Sequence, residues 1–195
     1  LLLLALVGRA APDVVVVGSK NFTEQVVLGE LVAQALEREG LAVQRKLNLG
    51  GTFVANRGLR SGELDVYVEY TGTAVTSVFH QPVPHESALA LEQARALYAA
   101  QGVSALDPLG FNNTFAILVR ADDARVSDLS RVAGSWTPGF GYEFLQREDG
   151  YAGLVGAYQL RFAAQPKAMD LSLIYKALAD RQVDLQLGYE FRDGG

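Results

Sequence analysis

Val14-Val15-Val16-Val17 is an unbroken β-branched run that stops at Gly18. A run with no polar alternation is the pattern of a strand covered on both faces, and it implies a parallel sheet flanked by helices. Asn21 then offers a helix cap with Glu24 three residues on, and Leu28, Leu31, Val32 and Ala35 recur at helical spacing until Gly40. The next strand alternates, with Val43, Leu47 and Leu49 against Gln44, Lys46 and Asn48. It meets Gly50-Gly51-Thr52 before a short helix at Phe53 to Leu59, and a third strand runs from Leu64 to Tyr70. Strands alternating with helices predict an open α/β sheet whose ligands gather at the carboxyl ends of the strands.

Further along, a helix is expected from about Ser87 to Ala100 on a face of Leu89, Glu92, Gln93 and Ala96, ended by Gly102. Asp107-Pro108-Leu109-Gly110 is a turn signal, and Thr114 to Arg120 starts a new buried strand. The boundary between two lobes is therefore placed near Gly110 to Asn113, with lobe 1 at 13–110 and lobe 2 at 111–190. In lobe 2 a short helix at Ser127 to Val132 carries Asp128 in its first turn, and Trp136 to Tyr142, rich in Gly, Pro and aromatics, is expected to be loop. Asp170 to Ala179 is helical, with Val183, Leu185 and Leu187 alternating as a last strand. Leu1 to Val7 with the following residues up to Pro12 has three readings, ranked in this order: a secretory-signal remnant, the tail of a transmembrane helix, and a buried first strand. The strand ranks last because Val14 to Val17 already supplies one.

Composition removes several function classes. Seventeen basic against 22 acidic residues give a net charge of −5, with no Lys/Arg run to neutralise a row of phosphates, so nucleic acid is not an expected partner. No cysteine is present, which removes disulfides, thiolate nucleophiles and thiolate metal sites. His80 and His85 flank a proline-containing loop and are read as surface residues, so neither a metal nor a cofactor is expected. Gly50-Gly51-Thr52 lacks the Lys-Ser/Thr ending of a phosphate loop. Glu63, Asp65 and Glu69 share one face of a strand, where a hydrolase would place two acids across a cleft, and no Gly-x-Ser-x-Gly elbow occurs. Catalysis is the weaker reading.

Four motifs occur in order: Gly18-Ser19-Lys20-Asn21-Phe22-Thr23-Glu24-Gln25, Leu49-Gly50-Gly51-Thr52, Glu69-Tyr70-Thr71-Gly72-Thr73 and Gly110-Phe111-Asn112-Asn113-Thr114. With them the chain resembles, from about Val14 to Asp184, the extracytoplasmic solute-binding proteins of osmoprotectant ABC importers, which take glycine betaine, choline, carnitine or proline betaine. The resemblance implies a two-lobe α/β fold of the periplasmic-binding-protein-like class II. It also implies capture without conversion, delivery to an ABC importer permease at the outer face of the cytoplasmic membrane, and membrane association through that permease, a lipid anchor or a fusion. Relatives cross back from the second lobe to the first and complete it, whereas this sequence stops at Gly195 and reads as truncated before that return, residues 191–195 being its start or an arbitrary end. Their Thr-Asp-Gly element is matched only in part by Tyr189 to Gly194.

A quaternary ammonium ion has no N–H to donate, so a protein holds it by surrounding its methyl groups with aromatic faces, at ~0.5 to 2 kcal/mol per ring. The resemblance makes Tyr70 the leading candidate ring, and Phe115, where relatives usually have tyrosine, stands evenly between cage wall and strand core. Tyr189 is a third candidate. Trp136, Phe140 and Tyr142 line the rim or simply pack their own loop. Arg147, in Glu143-Phe144-Leu145-Gln146-Arg147-Glu148-Asp149-Gly150, matches an element whose arginine reaches the cleft to hold a carboxylate; its alternative is a salt bridge with Glu143 or Asp149. Asn21, Thr52, Thr73 and Asn113 complete the expected contacts as polar groups of the matching motifs. Two competitors remain open: a receptor of the same architecture for another cation, such as a betaine of histidine, and an α/β hydrolase or transferase.

Overall fold

A computed structural model describes residues 2–6, 14–123 and 128–193. Its first strand, β1 (Leu2–Leu6), is followed by β2 (Val15–Gly18), α1 (Thr23–Arg38), β3 (Val43–Lys46), α2 (Thr52–Ser61) and β4 (Val66–Glu69). After a single turn, α3 (Thr71–Thr73), and a π turn at Ala74–Val78 come α4 (Ser87–Ala99) and β5 (Val103–Pro108). The five strands are ordered β3-β2-β4-β1-β5. Parallel pairing joins β2 to β3 and β4, with Val15 opposite Val43 and Val17 opposite Val66, as the valine run predicts.

The reading ranked last for the N-terminal apolar stretch is the one that the structure shows for Leu2–Leu6. β1 lies antiparallel between β4 and β5, Leu4 facing Tyr67 on one side and Ala105 on the other. The connection from β4 to β5 leaves a gap one strand wide, and both of its edges carry backbone donors and acceptors that need partners. A leucine-rich segment fills it and buries Leu4 completely. Residues 7–13, where the cleavage zone is expected, lie outside the described residues. No helix among the described residues is long and apolar enough to cross a membrane.

Several local expectations are corrected. The cap of α1 is Phe22 in extended conformation, whose side chain has no acceptor to offer; Asn21 stands one residue earlier, where its N–H donates to the Gly50 carbonyl at 2.9 Å. Leu28 and Ala33 are buried on α1, while Leu31 is 57% exposed, so the buried face is narrower than the periodicity suggests. On α4 the buried positions are Ala90, Ala94 and Tyr98, and Leu89 is exposed. The Asp107-Pro108 turn signal is absorbed into the end of β5, where the edge position leaves proline's missing N–H without consequence. Leu4, Leu59, Tyr67, Val75, Tyr98 and Val103 form the main core of this part of the chain.

The chain divides into two units, Leu1–Asn112 with Asp193–Gly195, and Asn113–Arg192. The second sheet begins with β6 (Phe111–Val119) and continues through α5 (Leu129–Val132), β7 (Pro138–Gly141), α6 (Tyr142–Gln146), α7 (Gly153–Tyr158), β8 (Lys167–Met169), α8 (Leu171–Ala179) and β9 (Leu185–Asp193). Its strand order is β6-β9-β7-β8. Asp128 caps α5 by accepting the Ser130 N–H, and Asp170 caps α8 through Ser172; Ser127 lies outside the described residues. The stretch expected to be loop contains β7, a fully buried strand parallel to β8 and β9. Pro138 stands at its first position, and a Cβ on Gly139 would lie 2.8 Å from Val183 Cγ1, so glycine is what lets the two segments approach. Phe140, Phe144, Leu185 and Leu187 form the core of this unit.

Candidate functional site

In the first unit the site is built around the end of β4. Glu69 is fully buried and accepts three bonds: from the Lys20 ammonium, from the Tyr67 hydroxyl at 3.0 Å and from the Tyr70 N–H at 2.8 Å. Lys20, 1% exposed, also donates to Thr52 Oγ1 at 3.0 Å. Its Nζ stands 4.4 Å from the centroid of the Tyr70 ring. Phe22 stacks on the same tyrosine at 6.2 Å with an interplanar angle of 14°, and the Tyr70 hydroxyl donates to Glu24 Oε2 at 3.1 Å. A buried ion pair holds its shape only when its remaining hydrogen-bonding positions are satisfied. Thr52, Tyr67 and the Tyr70 backbone do this here.

Burial, with the adjacent Glu69 charge, holds the Tyr67 phenol well above its usual range, and Tyr98 is raised for the same two reasons in the same order. Both therefore stay protonated at neutral pH, and Tyr67 stays a donor to Glu69. Of the expected contacts in this unit, Thr52 and Thr73 are buried, Tyr70 is half-buried, and Asn21 is exposed. The carboxylate row is dispersed: Asp65 accepts the Val16 N–H at 2.8 Å, Glu69 holds Lys20, and the Glu63 carbonyl accepts from Lys46. β4 begins only at Val66, so these acids do not share one strand face.

In the second unit Phe115, on β6, is 44% exposed. It packs edge-on against Phe144 at 5.6 Å and lies 5.7 Å from Tyr189 on the neighbouring strand β9. Phe115 is thus a partly exposed ring at the edge of this unit's core, resting on Phe144. The Arg147 guanidinium carbon sits 5.4 Å from its ring centroid. Arg147 pairs bidentately with Asp149, Nε to Oδ1 at 2.9 Å and Nη2 to Oδ2 at 2.7 Å, so the expected salt bridge with Asp149 is present. The loop closes tightly behind this pair: a Cβ on Gly150 would fall 1.9 Å from the Phe144 carbonyl oxygen. Asn113 is half-buried. Phe140 is wholly buried beneath Phe144 and Tyr151, while Tyr142 is exposed, so neither forms a common rim with Phe115.

Phe115, Tyr189 and Arg147 thus converge in the second unit, and Tyr70 and Thr52 meet in the first through Lys20. Sequence reasoning missed Lys20 as a site residue. Its only signal was its place in the first motif, since nothing local says that it pairs with a glutamate 49 residues away. Chemically, the Phe115 and Tyr189 faces are of the kind that suits a methylated cation, and the guanidinium beside them is a carboxylate-binding group whose Nε and Nη2 are engaged by Asp149. Among the described residues no group of three or more His, Asp or Glu side chains is placed to hold a metal ion.

The family described as the substrate binding domain of ABC-type glycine betaine transport systems matches residues 13–190. The glycine-betaine-binding protein of Pseudomonas aeruginosa is 34% identical over 191 residues, covering 90% of this chain and 61% of that protein. An ergothioneine transport permease/ergothioneine binding protein of Helicobacter pylori is 30% identical over 177 residues, covering 87% and 32%. The chain therefore spans about three-fifths and one-third of these two relatives. Apo YehZ from Escherichia coli aligns in structure with a TM-score of 0.55 at 27% identity, covering 91% of this chain and 70% of that one. A glycine betaine/carnitine/choline ABC transporter structure gives 0.61 at 21% identity over 90% and 68%, a likeness of fold. With aromatic and cationic side chains set on two α/β units and a match across nearly its whole length, this chain belongs to the substrate-binding domain family of ABC-type glycine betaine transport systems and has the fold of periplasmic binding proteins.

Proposed function

We propose that this chain captures a quaternary ammonium osmoprotectant, glycine betaine, choline or a related compound, at the outer face of the cytoplasmic membrane and delivers it to an ABC importer permease. The observation that carries the reading is the pairing of a solvent-exposed Phe115 with Tyr189 at 5.7 Å beside the Arg147 guanidinium. Exposed rings next to a planar cation match the two ends of a betaine: methyl groups against ring faces, carboxylate against N–H donors. Tyr70, Thr73, Asn21 and Thr52 in one unit, and Phe115, Asn113, Arg147 and Tyr189 in the other, are the residues assigned to ligand contact. The protein binds and releases its ligand unchanged, and the energy of import comes from a separate ATP-hydrolysing subunit. Association with the membrane runs through the permease, a lipid anchor or a fusion to the permease. Titration calorimetry against choline, glycine betaine, carnitine and proline betaine should give at least one saturable isotherm. Absence of heat with all four, on protein whose fold is intact by circular dichroism, overturns the assignment.

A second reading is favoured by the Helicobacter pylori relative, whose name includes ergothioneine. A histidine-derived betaine carries the same trimethylated nitrogen and carboxylate plus a ring that stacks on aromatic faces. Saturable binding of such a compound alone, with none of the four osmoprotectants, would select it.

A further inference from the structure

We propose that Tyr67 is a positioning residue for ligand capture: its hydroxyl fixes the Glu69 carboxylate, and Glu69 in turn fixes how the Tyr70 ring is presented at the end of β4. The inference rests on the function proposed above only in taking Tyr70 as a ring that meets the ligand. Tyr67 itself is 1% exposed and packs in the core with Leu59 and Tyr98, so it acts through its neighbours. Three observations carry the inference. Residues 67 and 69 stand two apart on one strand, so their side chains share a face, and the Tyr67 hydroxyl donates to Glu69 Oε2 at 3.0 Å. The other oxygen, Oε1, accepts the Tyr70 N–H at 2.8 Å together with the Lys20 ammonium. An N–H taken by a side chain is not available to a sheet ladder, and β4 ends at Glu69, with Tyr70 at φ −95° and ψ 133° leading into the α3 turn.

The terminal torsion of a glutamate is broad, so a carboxylate held through one oxygen alone can turn. Glu69 is held through both. The Tyr67 donor is constant, because burial and the Glu69 charge keep the phenol protonated at neutral pH. Without that hydroxyl, Oε2 is buried with no donor, and the carboxylate finds one only by turning. Oε1 turns with it, and the Tyr70 N–H loses its acceptor. The ring keeps its hydroxyl bond to Glu24 and its stack on Phe22, so it is displaced and not released. Tyr98 provides the comparison: it is fully buried and senses the same charge, but among the described residues it makes no hydrogen bond to Glu69.

The test is a double-mutant cycle of Tyr67→Phe with Tyr70→Leu, titrated calorimetrically with choline, glycine betaine, carnitine and proline betaine. Tyr67→Phe keeps the ring in the core; thermal melts establish folding, and sucrose is added to favour the folded state of a marginal variant. Tyr70→Leu removes one ring, a loss of about 2- to 30-fold that leaves binding measurable. Tyr67→Phe should weaken the ligand that the wild type takes by about fivefold, and by less than about twofold in the Tyr70→Leu background, because the two residues act as one unit. Tyr98→Phe should change affinity by less than about twofold. Equal losses from Tyr67→Phe in the two backgrounds, no loss in either, or a matching loss in Tyr98→Phe overturns the positioning role and leaves the proposed function standing. A second reading needs no ligand: hydrogen exchange at the Tyr70 amide should be about tenfold faster in Tyr67→Phe, with the Val68 amide unchanged. If the wild type binds none of the four compounds, the proposed function falls and this exchange decides the role of Tyr67, an unchanged rate overturning it.

Discussion

The guanidinium of Arg147 lies over the face of Phe115, 5.4 Å from the ring centroid, while its Nε and Nη2 grip Asp149. The pairing fixes a cation and an exposed ring as one rigid surface, because the arginine is 7% exposed and the loop behind it admits no side chain at Gly150. A charged group held this firmly costs little further ordering when a ligand arrives.

Replacing Arg147 with Met should therefore separate the two ends of a betaine. Removing a hydrogen bond to a charged group costs ~1.5 to 3 kcal/mol, so glycine betaine affinity should fall by about ten- to a hundredfold. Choline, which has no carboxylate, should change by less than about threefold. Calorimetric titration of both ligands reads the difference, and equal losses would mean that Arg147 only holds the loop.

Leu4 gives a test of β1. It is completely buried between β4 and β5, in contact with the Tyr67 and Tyr98 core. Leu4→Ala should lower the unfolding free energy by about 2 to 5 kcal/mol, read as a lower urea midpoint at unchanged slope. No change in midpoint would mean that this segment is not part of the sheet in solution.

Asp184, just before β9, links the start of that strand to the segments beside β7 and β6 by accepting the Thr137 N–H at 2.9 Å and Arg120 Nη2 at 2.8 Å. Burial works to raise its pKa, but the Thr137 and Arg120 bonds outweigh it and hold the carboxyl below its ordinary 3.8. A lowered pKa means that the stabilisation is present above the ordinary value and is lost as pH falls through the folded one. Asp184→Asn should cost about 1 to 3 kcal/mol at neutral pH, with the gap from wild type closing below about pH 3.8 in urea titrations. A gap independent of pH would assign the loss to packing.

How far the sequence carries depends on the range of each interaction. The alternation of strand and helix from Val15 to Glu69 was legible because each element's pattern is local, and so were the helices at Leu129 and Leu171, although Asp128 and Asp170 cap them instead of lying inside them as the pattern placed them. β7 was not, because a strand of Pro138, Gly139, Phe140 and Gly141 carries no β-pattern and exists only where Val183 presses against Gly139. Phe115 and Arg147 were candidates from their motifs, yet the bidentate grip of Arg147 on Asp149 depends on the loop geometry.

By itself the sequence determined the α/β class, the two-part division of motifs and the aromatic and cationic side chains available to a ligand, since residue type and spacing along the chain suffice for these. Only the tertiary structure decided that Leu2–Leu6 fills the gap beside β4, and that Lys20 meets Glu69 and the Tyr70 ring. These contacts join residues separated by tens of positions, and a buried charge finds its partner through the packing that excludes water from it, not through any local pattern.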